Sequence, residues 1–314
     1  MTGLALAGAG PRGKIGPIAY PLLLAASLLP DSDIVLRLFG SEEYLFGHLG
    51  ITHSLAGLAF QAVMIAFAFR NYAPSISPIF LVGLSAAGLG LHASMDCLNS
   101  WGPQLLSPFS NARFAMDWIA DSDVILLIVP GIAFAAGIAR PVLRERINRA
   151  AFGVMLAYVV MCAGSHAMGK EQIRAAMGKI GIKPDRVEAF PKFADPFSWN
   201  GVAWTKDRYF QAEVGAFSGV HGRVRSYFRT QLPPGLKSGF SDQYLVWARV
   251  PMIRFTAGRY PNEAVLCDLR YVVAGGRGNY TAVINASPAG PVRRWMGVDE
   301  NIPDPDMEFE LSTK

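Results

Sequence analysis

Long apolar stretches dominate the first half of the chain. Five of them contain no Lys, Arg, Asp or Glu: Ile15–Pro30, Ile51–Phe69, Ile79–Met95, Val124–Ala139 and Ala150–Met168. A membrane-spanning helix needs roughly 17–25 residues, a length that the second, third and fifth stretches reach. Prolines interrupt the first and fourth, which is tolerated where neighbouring helices satisfy the freed backbone groups. The pattern predicts an α-helical polytopic membrane bundle of about five short spans; the alternatives are a large soluble helical core and, for the first stretch, a signal peptide.

The second half has a different pattern. Five segments rich in β-branched and aromatic residues are separated by Gly, Pro and Asn: Gly201–Glu213, Arg223–Thr230, Tyr244–Phe255, Ala264–Val273 and Tyr280–Ile284. This alternation is typical of antiparallel strands, so we expect a smaller β-rich soluble domain after the membrane bundle. The predicted organisation is a membrane helical domain (1–168), a helix and linker (169–198), a β-rich extramembrane domain (199–298) and an acidic, disordered tail (299–314).

Charge changes this picture by giving the bundle an orientation. The net charge of +5 is modest and no Lys/Arg run indicates nucleic-acid binding, so we expect a lipid bilayer and no nucleic acid as partner. Basic residues collect in alternate loops: Arg12, Lys14, Arg70, Arg140, Arg144, Arg146 and Arg149. The positive-inside rule places these loops in the cytoplasm. In a bacterium the protein would lie in the inner membrane, with the other loops and the C-terminal domain on the periplasmic side.

The three cysteines are widely spaced and indicate neither a disulfide framework nor a thiolate metal site.

The ionisable residues of the first half concentrate at one predicted membrane face. They are Asp31, Asp33, His48, His53, His92, Asp96, Asp117, Asp121 and Asp123. His92 and Asp96 are four residues apart and therefore share a helix face. Imidazole nitrogens with carboxylate oxygens suit a divalent metal such as Zn, Mn or Fe, and such a metal activates water for attack on an ester or phosphoester. Ionisable groups at membrane depth are costly, which favours a functional interpretation.

Structural roles remain open for several of these side chains. Asp31 and Asp33 would then end a helix, although a helix C-terminus disfavours carboxylates. Asp121, Ser122 and Asp123 fit an N-cap and first helical turn, and a structural role explains Asp117 and Asp123 as well as a functional one does. Thr52 and Ser54 are more often helix caps than nucleophiles. His166 has no carboxylate close to it in sequence and His221 lies in the β-rich half, so both are left out of the site. We find no catalytic group in the β-rich half, where Asp195, Asp207, His221 and Asp268 are interpreted as solvated or structural.

One motif is misleading. The segment Gly8–Gly13 matches G-x-G-x-x-G, but a dinucleotide site needs a preceding strand within a βαβ unit. Almost nothing precedes these glycines and an apolar stretch follows them. We interpret the segment as a tight turn between two membrane helices.

The His/Asp blocks resemble the YdjM-like family of inner-membrane metal-dependent hydrolases, a family whose activity is itself largely inferred. The blocks are Leu29-Pro-Asp-Ser-Asp33, His48-Leu-Gly-Ile-Thr-His-Ser54, His92-Ala-Ser-Met-Asp96-Cys-Leu-Asn-Ser-Trp-Gly102 with Pro108-Phe-Ser110, and Asp117-Trp-Ile-Ala-Asp121, with a weaker match over Pro196–Phe210. The resemblance implies metal ligands among Asp31, Asp33, His48, His53, His92, Asp96 and Asp121, and it implies no particular substrate.

Two departures from the family pattern matter. Family members usually carry Arg after the first His of the second block, where this chain has Leu49, so a group that binds an anionic substrate is expected to be missing. Family members also usually have a Thr-His motif ahead of a Thr-Gly pair, whereas this chain opens on Met1-Thr2-Gly3. We expect that a short first helix and one His ligand precede Met1 or are missing. Residues up to Gly10 would be the remnant of a helix paired with the first apolar stretch.

These observations lead to a functional hypothesis. A membrane-bound metal-dependent hydrolase would act on an ester or phosphoester of a lipid-like or phosphorylated small molecule, with Asp33 or Asp121 as the catalytic base. The alternatives are a non-enzymatic divalent-cation-binding membrane protein or transporter, and a scaffold in which the metal is structural. A transporter would place ionisable groups near the bilayer midplane, whereas here they collect at one interface.

Overall fold

The computed structural model describes residues 1–255, 263–273, 277–278, 280–285, 292–296, 300–301 and 307–310. The chain forms two compact units, Met1–Ala163 and Gly164–Lys314. Each is described by itself.

Helices build the first unit. They are α1 (Thr2–Gly8), α2 (Pro11–Ile15), α3 (Ala19–Leu28), α4 (Ser41–Gly47), α5 (Leu55–Phe69), α6 (Pro78–Leu98), α7 (Val124–Ala139) and α8 (Arg144–Lys179), whose second part belongs to the second unit, with 3₁₀ helices at Pro30–Leu38 and Ile51–His53 among the connections. The turn predicted at Gly8–Gly13 is confined to Ala9 and Gly10, and α2 follows it. A helix, not a strand, precedes these glycines, so the dinucleotide-binding geometry is not formed.

Fewer helices than predicted can cross a membrane. In the described part of the chain, Leu55–Tyr72, Pro78–Leu98 and Pro141–Lys179 are long and apolar enough. The pair Pro11–Leu28 and Pro30–Leu38 makes a fourth span only if its 50° bend is included in one crossing. The prediction of five spans is therefore wrong by one or two. α7, at 16 residues, extends about 24 Å and falls short of a hydrocarbon core of about 30 Å.

Close helix contacts form the core of the first unit. Leu22, Leu23, Leu81 and Leu89 are fully buried there with apolar side chains of α1 and α5. A side chain at Gly3 would collide with Leu23 and its neighbours on α3, so glycine allows α1 to pack directly against that helix. The predicted hairpin between the N-terminal segment and the first apolar stretch thus has a counterpart in α1 and α3.

Antiparallel sheets build the second unit. The strands are β1 (Arg186–Lys192), β2 (Asp195–Trp204), β3 (Arg208–Gly215), β4 (Gly219–Phe228), β5 (Pro251–Phe255), β6 (Glu263–Asp268), β7 (Val272–Val273), β8 (Arg277–Gly278), β9 (Thr281–Asn285), β10 (Val292–Met296), β11 (Glu300–Asn301) and β12 (Met307–Glu310), and α9 (Gly239–Trp247) lies between β4 and β5. They form sheets of order β1-β2-β3-β4-β12, β10-β9-β6-β5 and β11-β8-β7. The fold class is therefore as predicted: a helical membrane region followed by an antiparallel β domain.

The last turns of α8 pack against the five-stranded sheet. Ile173 and Met177 are fully buried among residues of β1 to β4. Lys170 donates to Glu188 of β1 at 2.7 Å. Burial by itself raises the pKa of the Glu188 carboxyl, but Lys170, with Arg186, outweighs burial and holds that pKa below its usual value. This ion pair fixes the helix to the edge of the sheet.

Three local predictions differ from the structure. β1 occupies part of the stretch expected to be linker, and α9 replaces the first half of the strand predicted at Tyr244–Phe255 because Ser238 and Ser241 form a reciprocal capping box. Most of the tail expected to be disordered lies outside the described residues. For Met307–Glu310 that expectation is wrong, since this segment pairs with β4.

Candidate metal centre

A break in the chain direction presents the first two carboxylates. Pro30 starts a new 3₁₀ helix at 50° to α3, and Asp31 and Asp33 lie in its first turn. They are thus at a helix N-terminus, where the helix dipole stabilises negative charge, and not at the C-terminus of α3. Asp33 is buried, whereas the Asp31 side chain is 49% exposed.

His53 is fixed by the start of α5. It ends the short 3₁₀ helix Ile51–His53, and Ser54 then caps α5 by accepting the Gly57 N–H at 3.0 Å. The interpretation of Ser54 as a cap is therefore confirmed. Gln61, one further turn along α5, donates to the Thr52 carbonyl at 2.6 Å and holds this segment against the helix. His53 is completely buried as a result.

His92 and Asp96 come from the last turns of α6. Their i,i+4 spacing places His92 Nε2 and Asp96 Oδ2 3.1 Å apart, as predicted from sequence. α5 starts, α6 ends and α3 gives way to the 3₁₀ helix at this site, so three separate chain segments contribute to it.

Three of these side chains converge on one point. The distances are 3.3 Å between the two Nε2 atoms of His53 and His92, 3.5 Å from His53 Nε2 to Asp31 Oδ1, and 3.4 Å from His92 Nε2 to Asp31 Oδ1. Among the described residues, one donor atom from each of these three side chains lies within 4.8 Å of the other two, close enough for all three to bind one metal ion. Asp96 Oδ2 lies beside them, 3.6 Å from His53 Nε2. We refer to Asp31, His53, His92 and Asp96 as the Asp/His cluster.

Hydrogen bonding on the far side of His53 determines which nitrogen carries its proton. The Thr52 hydroxyl donates to Asp33 Oδ2 at 2.9 Å, because a carboxylate can only accept. The same hydroxyl lies 3.0 Å from His53 Nδ1 and has no second proton, so Nδ1–H must be the donor in that contact. A neutral His53 then presents a bare Nε2 lone pair to His92 and Asp31. Metal-binding histidines are commonly held in this way by a partner on their other nitrogen.

Asp33 holds the segments around the cluster together. Oδ1 accepts from His48 Nδ1 at 2.7 Å, and Oδ2 accepts from Thr52 and from the Leu49 N–H at 3.0 Å. The Leu49 contact requires a φ of 58°, which is unusual for a residue with a branched side chain. Both carboxylate oxygens are therefore engaged, which makes Asp33 a poor proton acceptor.

Two further residues, not identified from sequence, shape the His48 segment. Arg113 donates to the carbonyls of Phe46, His48 and Gly102 at 3.0–3.4 Å. Tyr44 stacks on the His48 ring with centroids 4.6 Å apart. Arg113 is one of the few basic residues in the loops predicted to face outward, but its role depends on main-chain acceptors that carry no sequence signal.

The remaining predicted residues lie in different places. Asp121 is exposed in the turn before α7, and its ligand and base roles remain predictions. Asp123 caps α7 by accepting from Ile125 and Leu126, and it also accepts from Tyr158 at 2.7 Å. Its structural interpretation is therefore confirmed. Asp117 is buried with a φ of 60°.

The distances within the Asp/His cluster fit a metal ion. A tetrahedral Zn²⁺ with ligand bonds near 2.0–2.2 Å separates its donor atoms by about 3.3–3.5 Å. The three distances among Asp31, His53 and His92 have these values, and Asp96 Oδ2 lies beside them, 3.1 Å from His92 Nε2 and 3.6 Å from His53 Nε2. That oxygen is buried, so it needs a ring proton or a cation at this point to satisfy it. The donor set thus fits a divalent ion of intermediate hardness.

The Thr52 hydroxyl gives a direct test of this arrangement. Replacing it by an isosteric methyl group in Thr52→Val removes the acceptor of His53 Nδ1–H and is expected to weaken metal affinity about 10- to 100-fold. Thr52→Ser keeps the hydroxyl and should bind nearly as tightly as wild type. Competition with a chelating dye measures both constants; equal affinities for the valine and serine variants would contradict the proposed hydrogen-bond relay.

The fold and the cluster define a class: a helical membrane protein with a candidate Asp/His metal site at the ends of its helices and an antiparallel β domain after them. The family described as YdjM inner membrane protein matches residues 1–170, which is more than half of the chain. The chain belongs to this family, as the resemblance of its His/Asp blocks indicated.

Known relatives add little on function. A protein from Bacillus subtilis described as the uncharacterized protein YfhP is 31% identical over 105 residues. The match covers 33% of this chain and spans only 32% of that relative's length. No solved structure matches the chain.

Proposed function

We propose that the protein is a divalent-metal-dependent hydrolase of the inner membrane that cleaves an ester or phosphoester. The observation that carries the proposal is the pair of histidine Nε2 atoms 3.3 Å apart and facing two carboxylates, with the Thr52 contact placing the proton of a neutral His53 on Nδ1. A bound divalent ion would supply an activated water at neutral pH. Asp31, His53 and His92 would hold it.

The exposure of the cluster favours access by a substrate. His53 is buried, but the Asp31 side chain is half exposed, so the cluster opens towards solvent on that side. Exposed apolar residues follow Asp31 and Asp33 on the same 3₁₀ helix, including Ile34, Val35 and Leu38. A lipid-like substrate carrying a phosphoester or ester would find both apolar and polar surface here. With the loop orientation predicted from the basic residues, the site faces the periplasm.

Asp96 takes the catalytic role that the sequence analysis gave to Asp33. Asp33 accepts three hydrogen bonds and has little capacity for a proton, whereas Asp96 Oδ2 lies against His92 Nε2, a contact that a metal ion on that nitrogen would replace. We assign to Asp96 the acceptance of the proton from the attacking water. Asp33 instead orients His48, Thr52 and the Leu49 backbone.

A non-enzymatic metal-binding protein is the second candidate. It is favoured by the position of Asp96 Oδ2, which lies 3.1 and 3.6 Å from the Nε2 atoms of His92 and His53. Catalytic zinc sites keep an open position, whereas four protein ligands close a structural site. If Asp96 is a permanent fourth ligand, the cluster is closed and binds metal without hydrolysis.

Asp96→Asn separates the two functions. The hydrolase proposal predicts that this variant retains metal and loses hydrolysis by about 100-fold or more. The assay uses the detergent-purified full chain loaded with Zn²⁺ and offered phosphatidic acid and p-nitrophenyl esters and phosphoesters. Asp121→Asn, measured alongside, tests the predicted role of that exposed carboxylate, and His221→Gln in the second unit is the control. Loss of metal from Asp96→Asn, with no hydrolysis by wild type on any of these substrates, would support the closed site instead.

A further inference from the structure

Exposed phenylalanines occupy two neighbouring hairpin tips of the second unit. Phe193 lies in the turn between β1 and β2 and is 69% exposed; Phe217 lies in the turn between β3 and β4 and is 72% exposed. Ser198 pairs with Gly215 in the sheet, so both turns are at the same end of it. Phe197 connects them, with its ring 5.6 Å from that of Phe217. Large apolar side chains grouped in this way mark an interaction surface. We call Phe193, Phe197 and Phe217 the aromatic tips.

The opposite end of the same sheet has charged side chains at its turn. The turn between β2 and β3 contains Lys206 and Asp207, and Arg229 donates to the carbonyls of Thr205 and Lys206 at 3.0 and 3.2 Å. Phe228 is exposed at this end with Arg208 over its ring, and Lys192 and Asp195 flank Phe193 at the other end. Charged groups therefore occur at both ends, and the ends differ in the number of exposed phenylalanines.

α8 relates the two ends of the sheet to the membrane. Near its C-terminal end, α8 packs through Ile173 against Gly201 of β2. Two turns earlier, the Ser165 hydroxyl donates to the Pro196 carbonyl at 2.7 Å and accepts from Trp199 Nε1 at 3.1 Å. Moving along α8 towards its N-terminus thus means moving along β2 towards the aromatic tips.

The position of Ser165 in α8 also indicates how deep in the bilayer the aromatic tips lie. It lies within Ala150–Met168, the uncharged stretch of a helix long and apolar enough to cross a membrane, and Lys170 is the first charged residue after that stretch. Five residues of helix from Ser165 to Lys170 correspond to about 7.5 Å. The β hairpins bonded to Ser165 are therefore level with the end of the apolar stretch, which is where a bilayer changes from acyl chains to headgroups.

We propose that the aromatic tips insert into the interfacial layer of the bilayer that α8 crosses, giving the β domain a second membrane attachment. Phenylalanine is among the apolar side chains that interfacial segments bury at the boundary between headgroups and acyl chains. The hydrogen bonds of Ser165 hold Pro196 and Trp199, which flank Phe197, against the spanning helix, and this favours the bilayer over another protein as the occupant. The inference does not depend on the proposed hydrolysis.

Depth-dependent fluorescence tests the attachment on the full chain. Phe193→Cys and Phe217→Cys, labelled with the fluorophore NBD, are compared with Lys206→Cys at the opposite end of the sheet. All carry Cys97→Ala; Cys162 and Cys267 are buried, and the labelled parent gives the blank. The proteins are placed at one copy per nanodisc, with and without lipids carrying a nitroxide near the headgroup.

The proposal predicts that nitroxide lipids reduce emission at 193 and 217 about twofold or more and leave 206 nearly unchanged, since apolar interfacial groups lie about 5–10 Å into the headgroup boundary. Aqueous iodide should quench in the reverse order. Iodide quenching at 193 and 217 equal to that at 206 would overturn the proposal. Protection from iodide without lipid quenching would also overturn it, and would point to a contact with protein. Unchanged thermal unfolding of the labelled variants verifies that each is folded.

Discussion

Alanine at His53 or at His92 is expected to abolish metal binding. Each histidine supplies one of three donor atoms within 3.5 Å of one another. With one donor removed, the remaining ligands are too few for a stable site, and the buried carboxylates lose their counter-charge. Elemental mass spectrometry of the detergent-purified protein should find about one equivalent of Zn, Mn or Fe in wild type and less than about a tenth of that in each variant.

The control for this experiment is another histidine. His221 is exposed in the second unit, where it lies 2.7 Å from the Ser218 hydroxyl, so His221→Ala should retain the wild-type metal content. Metal retained by both cluster variants would show that the ion, if present, lies elsewhere. A wild-type protein that stays metal-free after supply of all three ions would contradict the fit of the Asp/His cluster.

Asparagine at Asp33 is expected to destabilise the protein by about 2–4 kcal/mol, because a buried acceptor of three hydrogen bonds is replaced by a group with one acceptor atom. In one orientation the amide NH₂ of the asparagine would point at the His48 Nδ1–H donor. In the other it would point at the Thr52 hydroxyl and the Leu49 N–H, so at least one pair of hydrogen-bond donors would face each other without an acceptor. Thermal or denaturant unfolding of the first unit's helices in detergent, followed by circular dichroism, measures the change. Metal affinity should fall as well, because the support of His53 through Thr52 is lost.

An exposed carboxylate provides the matched control for Asp33. Asp195→Asn alters a residue at the surface of the second unit and should shift unfolding by less than about 0.5 kcal/mol. Full stability of Asp33→Asn together with loss of hydrolysis would restore the sequence-based view of Asp33 as the base. The same pair of measurements thus distinguishes a positioning residue from a proton acceptor.

The cluster was predictable from sequence because two of its members share a helix face and the others flank apolar segments. The i,i+4 spacing of His92 and Asp96 requires only helical geometry. The opposite ends of successive apolar segments alternate between membrane faces, which brings Asp31 and His53 to the same level. The different roles of the two carboxylates were not predictable, since they depend on hydrogen bonds. Nothing in the residue types shows that Asp33 accepts from His48, Thr52 and the Leu49 N–H while Asp96 Oδ2 faces the histidine Nε2 atoms.

Other elements were predicted wrongly because the residue pattern of a short segment does not determine its secondary structure. Tyr244–Trp247 has the aromatic content of a strand, but the Ser238–Ser241 capping box starts a helix just before it. Arg186–Lys192 contains Pro191 and was expected to be linker, yet it lies at the edge of its sheet, where a strand tolerates proline. The predicted number of spans was too high because the uncharged stretch Val124–Ala139 was counted as a span. The helix it forms, α7, is too short to cross a membrane.

Leu49 contacts Asp33 through its peptide N–H, and this has a consequence for divergence within the family. The support of Asp33 draws on the backbone at this position, so a substitution that keeps the left-handed φ keeps this contact. The side chain meets a separate constraint, because Leu49 is buried and a charged residue here would need a partner or access to solvent. Position 49 is therefore subject to two independent requirements, one on the main chain and one on the side chain.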